Sequence, residues 1–175
     1  VAVWTQGTTV TNVWSNRFAA ENRWGDAELI ETGDAGDASD VHVVVDPPGN
    51  AIAVWQQSDG SVTSIWSNRF EPVNGWGEAQ LIENDDVGDA DSPRVAGDPR
   101  GNVIAVWSQS DGTVRNIWAN RFVPTTGWGT PQLLEGGDAG DAVNPRVALD
   151  PGGQGVVVWS YFDGTRSGVW ASRFE

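Results

Sequence analysis

Ten of the eleven tryptophans in this chain recur at a fixed spacing of 52 residues. They form three series: Trp14, Trp66, Trp118 and Trp170; Trp55, Trp107 and Trp159; and Trp24, Trp76 and Trp128. Trp4 precedes Trp55 by 51 residues, which indicates one deleted residue in the first copy. A period of this length is typical of repeat architectures, in which each copy is one supersecondary unit. Recurrence alone therefore does not indicate a functional site.

One repeat reads as four short strands joined by tight turns. In the copy at 93–144, an extended segment at 93–98 leads into a Pro- and Gly-bearing turn at 98–102. The remaining parts are an apolar run at 102–107, a Ser-Asp-Gly turn at 110–112, a strand at 117–122 and a fourth strand at 132–135. Pro and Gly favour tight turns through their backbone dihedrals. An apolar run without polar alternation indicates a strand that is covered on both faces.

This pattern predicts an all-β fold. Four antiparallel strands in about 40 to 50 residues is the size of one propeller blade. We therefore predict a β-propeller of four-stranded antiparallel blades, with about three and a half repeats of 52 residues. A parallel β-helix is the structural rival, but the hairpin turns favour meanders. The single domain 1–175 divides into blades at approximately 1–40, 41–92, 93–144 and 145–175.

The phase of the repeats leaves ring closure open. With the strands of a blade named A to D, the chain reads BCD, ABCD, ABCD and ABC. Three alternatives fit this phase: part of a longer propeller chain, a four-bladed ring with two three-stranded blades, or a homo-oligomer that completes the ring. Exposed strand edges favour a partner at both ends.

Composition limits the partners. The formal net charge is −14 and the chain contains no lysine. A nucleic acid or an anionic membrane surface is therefore an unsuitable partner, because its phosphates require a basic face. Glycans, proteins and cations remain open. With no Cys, disulfides and thiolate metal sites are excluded. No apolar stretch approaches the roughly 18 residues of a transmembrane helix.

The repeated motifs carry a family resemblance. They are Asp-Pro-x-Gly-Asn, Ala-Val-Trp, Ser-Asp-Gly, Ile-Trp-x-Asn-Arg-Phe and Gly-Trp-Gly. This signature resembles the blades of exported bacterial β-propellers related to the sialidase-like, Asp-box class, which implies an extracellular or cell-surface location. The Asp box itself is degenerate, because residues 70–76 keep Gly-Trp and lack the Asp. Tyr161 is the only tyrosine and the strand arginines are equivalent by repeat, so the resemblance does not imply sialidase activity.

Three residue types form the candidate ligand site. Tryptophans beside a turn glycine are natural platforms for sugar rings, whereas the strand tryptophans are expected in the core. An Arg and a Glu on adjacent predicted strands accompany each turn Trp, as a polar clamp for a sugar hydroxyl or as a structural cross-strand ion pair. The candidates are Trp24, Trp76, Trp128, Arg17, Arg69, Arg121, Glu31, Glu83 and Glu135.

Acidic loops provide a second candidate site. Each places two carboxylates around a glycine, at Asp34 and Asp37, Asp86 and Asp89, and Asp138 and Asp141, with Asp40, Ser92 or Asn144 three residues further on. Oxygen ligands of this kind suit Ca²⁺, and no other cofactor is expected. The alternative is that these aspartates cap backbone N–H groups in solvated turns. His42, the only histidine, is expected at a structural or exposed position.

These observations favour a non-catalytic binding or scaffold module, which assembles with further copies to complete a ring. The alternative is a multivalent lectin, since equivalent weak sites gain avidity. A glycosidase-like enzyme is the third reading. Paired carboxylates are available for it, but the near-identity of the repeats argues against a catalytic centre, which needs asymmetry.

Overall fold

The computed structural model describes residues 1–21, 23–33, 36–84, 88–135 and 140–174, which form strands and turns without a helix. The strands are β1 (Ala2–Gly7), β2 (Thr11–Asn16), β3 (Phe18–Ala19), β4 (Arg23–Trp24), β5 (Glu28–Leu29), β6 (Ala38–Val45), β7 (Ala51–Ser58), β8 (Thr63–Glu71), β9 (Gly75–Trp76), β10 (Gln80–Leu81), β11 (Ala90–Gly97), β12 (Val103–Ser110), β13 (Arg115–Val123), β14 (Gly127–Trp128), β15 (Gln132–Leu133), β16 (Asp141–Leu149), β17 (Gly155–Phe162) and β18 (Ser167–Phe174). Among these described residues no segment forms a membrane-spanning helix.

The strands form four antiparallel meanders in chain order. The two inner meanders hold strands A to D as β6, β7, β8 and β10, and as β11, β12, β13 and β15. The first meander is β1, β2 and β5, and the last is β16, β17 and β18. In chain order the four meanders thus hold three, four, four and three of these strands. The all-β propeller fold predicted from the sequence is confirmed.

Local residue chemistry explains the turns. In the AB turn, Gly101 has a φ of +83°, which favours glycine. The Asp98 carboxylate accepts hydrogen bonds from the main-chain N–H groups of Arg100 and Asn102 at 2.8 and 3.0 Å. In the BC turn, the Asp59 carboxylate accepts from the N–H groups of Ser61 and Val62. Tight Asp- and Gly-bearing turns thus join successive strands, as the motifs predict.

The core consists of three apolar layers, each between neighbouring blades. Trp55, Trp107 and Trp159 each fill one of these layers, and at most 3% of each side chain is exposed. The prediction that the strand B tryptophans form the core is confirmed. The strand C series is less uniform, since Trp66 and Trp118 are partly buried whereas Trp170 is 55% exposed.

The A strands form the inner ring of the propeller. β11 lies against both β6 and β16, as expected for the strands that surround a propeller axis. The DA loops enter these strands at one end of the molecule, which also holds the BC turns. We call this the DA end. The AB and CD turns lie at the opposite end.

Candidate active site

The turn tryptophans lie at contacts between blades. The Trp76 indole N–H donates to the Ser15 hydroxyl of the preceding blade at 2.6 Å, and Trp128 donates to Ser67 at 3.2 Å. Both rings are half-buried. Trp24 in the first meander is 55% exposed. The equivalent rings therefore differ in surroundings, and two of the three stabilise the packing of blades.

The structure brings the predicted arginines and tryptophans together but separates them from the glutamates. Arg69 lies next to Phe70, which pairs with Trp76 across the sheet. Glu83 follows Ile82, whose N–H donates to Ile65 near the start of the same strand β8. The register therefore places Arg69 and Glu83 at opposite ends of the strand, and Arg69 instead forms an ion pair with Glu71 at 2.8 Å.

The equivalent arginines also contact the next blade. The guanidinium groups of Arg17 and Arg69 lie 5.3 Å from the ring centroids of Phe70 and Phe122, respectively. Arg121 donates to the carbonyl of Gly153 in the following AB turn at 2.9 Å. Each of these contacts joins two blades, as a cation–π interaction or as a hydrogen bond to the main chain.

The glutamates of the candidate clamp extend the sheet. Glu31 and Glu83 are buried. The Glu31 carboxylate accepts from the N–H of Val13 at 3.0 Å, and Glu135 accepts from Ile117 at the same distance. The side chain thus replaces a main-chain carbonyl where strand D ends, so that the fourth strand has two residues, Gln132–Leu133, rather than the four predicted.

The described aspartates of the acidic loops cap strand C. Asp37, Asp89 and Asp141 accept from the main-chain N–H groups of Thr11, Thr63 and Arg115 at 2.7 to 2.9 Å. Asp34, Asp86 and Asp138 lie outside the described residues. Within the described part of the chain, no three His, Asp or Glu side chains are grouped as metal ligands.

The A strands carry an irregularity at the DA end. Each has a β-bulge, between Ser39 and His42, between Asp91 and Arg94, and between Val143 and Arg146. Within each bulge one non-glycine residue has a positive φ, which is 50° at Asp40, 55° at Ser92 and 56° at Asn144. Bulges re-aim side chains and are frequent beside active sites, and backbone strain of this kind accumulates there as well.

Two carboxylates on neighbouring A strands are held by arginines at this end. Asp40 accepts from the Arg94 guanidinium at 2.7 Å and lies 3.2 Å from His42 Nε2. Asp91 forms an ion pair with Arg115 at 2.6 Å. The side chains of Asp40 and Asp91 are 35% and 32% exposed, so solutes reach both carboxylates. We call Asp40, His42, Asp91, Arg94 and Arg115 the axial cluster.

The sequence predicted Asp40 only as a third cation ligand and His42 only as a structural or exposed residue, although it also carries a signal for the axial cluster. The A strands read Ala-Ser-Asp-Val-His from Ala38, Ala-Asp-Ser-Pro-Arg from Ala90 and Ala-Val-Asn-Pro-Arg from Ala142. The alanine is constant, the next two positions differ in all three copies, and the two after them are Val-His in the first copy and Pro-Arg in the other two. Positions that differ between otherwise similar repeats are positions whose residue is not determined by packing. His42 lies at one of these positions.

No protein-family model matches the sequence, and no curated protein matches it significantly. Among the solved structures that match, two align along 99% of the chain. One is an endo-arabinase from Bacteroides thetaiotaomicron VPI-5482, with a TM-score of 0.53, 14% identity and 70% of its own length covered. The other is a thermostable family-43 glycoside hydrolase, with a TM-score of 0.52, 12% identity and 72% covered.

Both matched structures are β-propellers, so the chain is similar in fold to that class. At these identities the likeness shows the shared fold, and the narrower sialidase-like relationship stays a prediction. The expectation of a non-catalytic module is corrected, because these neighbours are glycoside hydrolases. The repeats are uniform where blades pack but differ at the DA end of the A strands, so their near-identity does not count against a catalytic centre there.

Proposed function

We propose that this chain hydrolyses glycosidic bonds, acting on a polysaccharide outside the bacterial cell, with Asp40 and Asp91 as its two catalytic carboxylates. The axial cluster carries the proposal, because it places two accessible carboxylates on neighbouring inner strands at one end of the propeller. The fold shared with an endo-arabinase and a family-43 glycoside hydrolase supports the reaction class.

Two carboxyl groups suffice for this chemistry. One protonates the glycosidic oxygen as the bond to the anomeric carbon breaks. The other either activates the attacking water or attacks the anomeric carbon itself, and the distance between the groups decides which. Arg94 orients Asp40 through a charge-assisted hydrogen bond, and Arg115 forms an ion pair with Asp91. His42 contacts the second oxygen of Asp40.

The test is an assay of the full chain on arabinan, arabinoxylan and aryl glycosides. Asp40→Asn and Asp91→Asn should each lower kcat by about 10²- to 10⁴-fold, the usual contribution of a general acid or base. Asparagine tolerates the left-handed backbone at position 40, so this change removes the charge without adding strain.

The leaving group assigns the roles. The variant that lacks the acid should retain its rate on aryl glycosides with good leaving groups, because these need no proton. The variant that lacks the base or nucleophile should lose the rate on every substrate. Glu78→Gln, on the exposed outer part of the same blade as Asp40, is the control and should be unaffected. Undiminished turnover in the Asp40 and Asp91 variants contradicts the proposal, as does the absence of hydrolysis by the unmodified chain.

A further inference from the structure

The A strands of successive blades place charged side chains at equivalent positions. His42, Arg94 and Arg146 are equivalent positions in three successive blades. Both arginines bend back to donate Nη1 to the carbonyl of the preceding proline, at 2.6 Å for Arg94 and 2.8 Å for Arg146. The two guanidinium groups are therefore held in the same way.

Their partners on the preceding blade differ. Arg94 donates to the carboxylate of Asp40 at 2.7 Å. Ser92 stands at the equivalent position for Arg146, since it occupies the same place in the bulge of β11 as Asp40 does in β6. Among the described residues, no carboxylate forms an ion pair with Arg146. The repeat thus offers a cation and a hydroxyl where the previous blade has a complete ion pair.

The structure assigns the position between Ser92 and Arg146 as a binding subsite for the carboxylate of a uronic acid residue in the glycan. This inference rests on the proposed function, because it names a substrate class for the same end of the propeller. Arginine presents a planar fork that matches a carboxylate, and Arg146 is exposed to solvent. Of the other arginines of the DA end, Arg94 and Arg115 are each matched by an aspartate. Arg166 lies in the BC turn of the last meander, where its main-chain N–H donates to Asp163.

The charge of the protein narrows the ligand further. A net charge of −14 repels a polyanion such as a continuous polyuronate. A neutral glycan with isolated uronic acid substituents brings a single carboxylate to Arg146 and avoids most of that repulsion. We therefore infer a substrate with sparse uronic acid residues on a neutral backbone.

The test compares one glycan in two forms. A xylan oligosaccharide with a single glucuronic acid is measured by calorimetry against its carboxyl-reduced, neutral counterpart. The unmodified chain should bind the charged form about tenfold more tightly or better, the range for a hydrogen-bonded charged group. High salt should reduce this ratio.

Two variants locate the effect. Arg146→Gln removes the cation. Ser92→Asp introduces a carboxylate at the position equivalent to Asp40, and aspartate tolerates the positive φ at this position. Each should bring the ratio of the two affinities close to one. Arg100→Gln, which removes one positive charge in an AB turn at the opposite end, should leave the ratio unchanged.

The outcomes separate this inference from the proposed function. A ratio near one in the unmodified chain overturns the uronate subsite, and hydrolysis of neutral glycans would then still support the proposed function. A ratio of ten or more that depends on Arg146, without hydrolysis of any glycan, supports the subsite and overturns the proposed activity. A ratio that Arg100→Gln lowers as much as Arg146→Gln reflects overall charge and contradicts the subsite.

Discussion

The surfaces between blades and the DA end of the inner strands differ in how similar the equivalent residues of successive repeats are. Between blades, equivalent residues make the same contact in successive repeats. Asn68 donates to the carbonyl of Ile30 at 2.7 Å, and Asn120 donates to the carbonyl of Ile82 at 2.9 Å. At the DA end, equivalent positions hold different groups, such as Asp40 and Ser92. Packing preserves a residue because each blade must fit its neighbour, whereas a site needs differences between blades.

The largest effect should come from the core between blades. Trp107→Ala should lower the free energy of unfolding by about 3–5 kcal/mol, because the side chain is fully buried and leaves a cavity. Denaturant unfolding measures this loss. Trp170→Ala, at a 55% exposed ring, is the matched control and should cost far less. Equal losses would show that the last meander is packed as tightly as the inner ones.

A smaller effect should come from the polar contact that repeats between blades. Asn120→Ala should cost about 1–3 kcal/mol, because it leaves the buried carbonyl of Ile82 without its side-chain donor. The last meander has Ser172 at the equivalent position, and its hydroxyl contacts the adjacent carbonyl of Arg173 instead. Thermal unfolding of Ser172→Ala should show little change, and a loss as large as that of Asn120→Ala would refute the interpretation.

The hydrogen bonds of Asp98 in the AB turn should make the free energy of unfolding depend on pH in the acidic range. Burial raises the pKa of Asp98, but hydrogen bonds from the Asn102 side chain and from the main-chain N–H groups of Arg100 and Asn102 outweigh it, so the pKa lies below the ordinary 3.8. This stabilisation is complete above pH 3.8 and is lost as the pH falls through the folded-state pKa. Asp98→Asn should cost about 1 kcal/mol at neutral pH.

The difference between the unmodified chain and this variant should shrink below pH 3.8, as seen in melting temperatures from pH 7 to pH 2. Asp26→Asn, at an exposed carboxylate, provides the comparison. A constant difference across that range would mean that the Asp98 hydrogen bonds do not depend on its charge.

The smallest effect on stability should come from the axial cluster. Asp40→Asn should change the free energy of unfolding by less than about 1 kcal/mol, because the ion pair with Arg94 is one-third exposed at Asp40 and solvent screens it. Chemical denaturation measures this change beside the loss of kcat expected for the same variant. Destabilisation as large as that of Trp107→Ala would show that Asp40 contributes to the packing of the fold, and the DA end would then not differ from the surfaces between blades in this respect.

Much of the fold could be predicted from the sequence, because regular spacing carries it. The positions of Trp55, Trp107 and Trp159 indicated the apolar layers, and the Gly and Asp residues of the turns indicated the strand ends. The fourth strand was predicted too long, since nothing in its composition shows that Glu135 takes over the hydrogen bond to Ile117. That contact depends on how the chain leaves the sheet.

The candidate site was harder to predict. The turn tryptophans stood out by their repetition, yet Trp76 and Trp128 donate to serines of the neighbouring blade. The Arg and Glu pairs followed from assuming adjacent strands in full register, which the short strand D does not allow. The informative signal was the variation of the A strands, which is visible only when repeats are compared for their differences.

The repeat and the four strands of a blade can be read from the amino-acid sequence alone, because they depend on local dihedral preferences and apolar periodicity. Which side chains contact each other becomes visible only once the blades are packed together. Asp40 and Arg94 lie 54 residues apart and become partners because two A strands lie side by side around the axis. Contacts of this kind follow from the packing of one blade on the next, which no single repeat encodes.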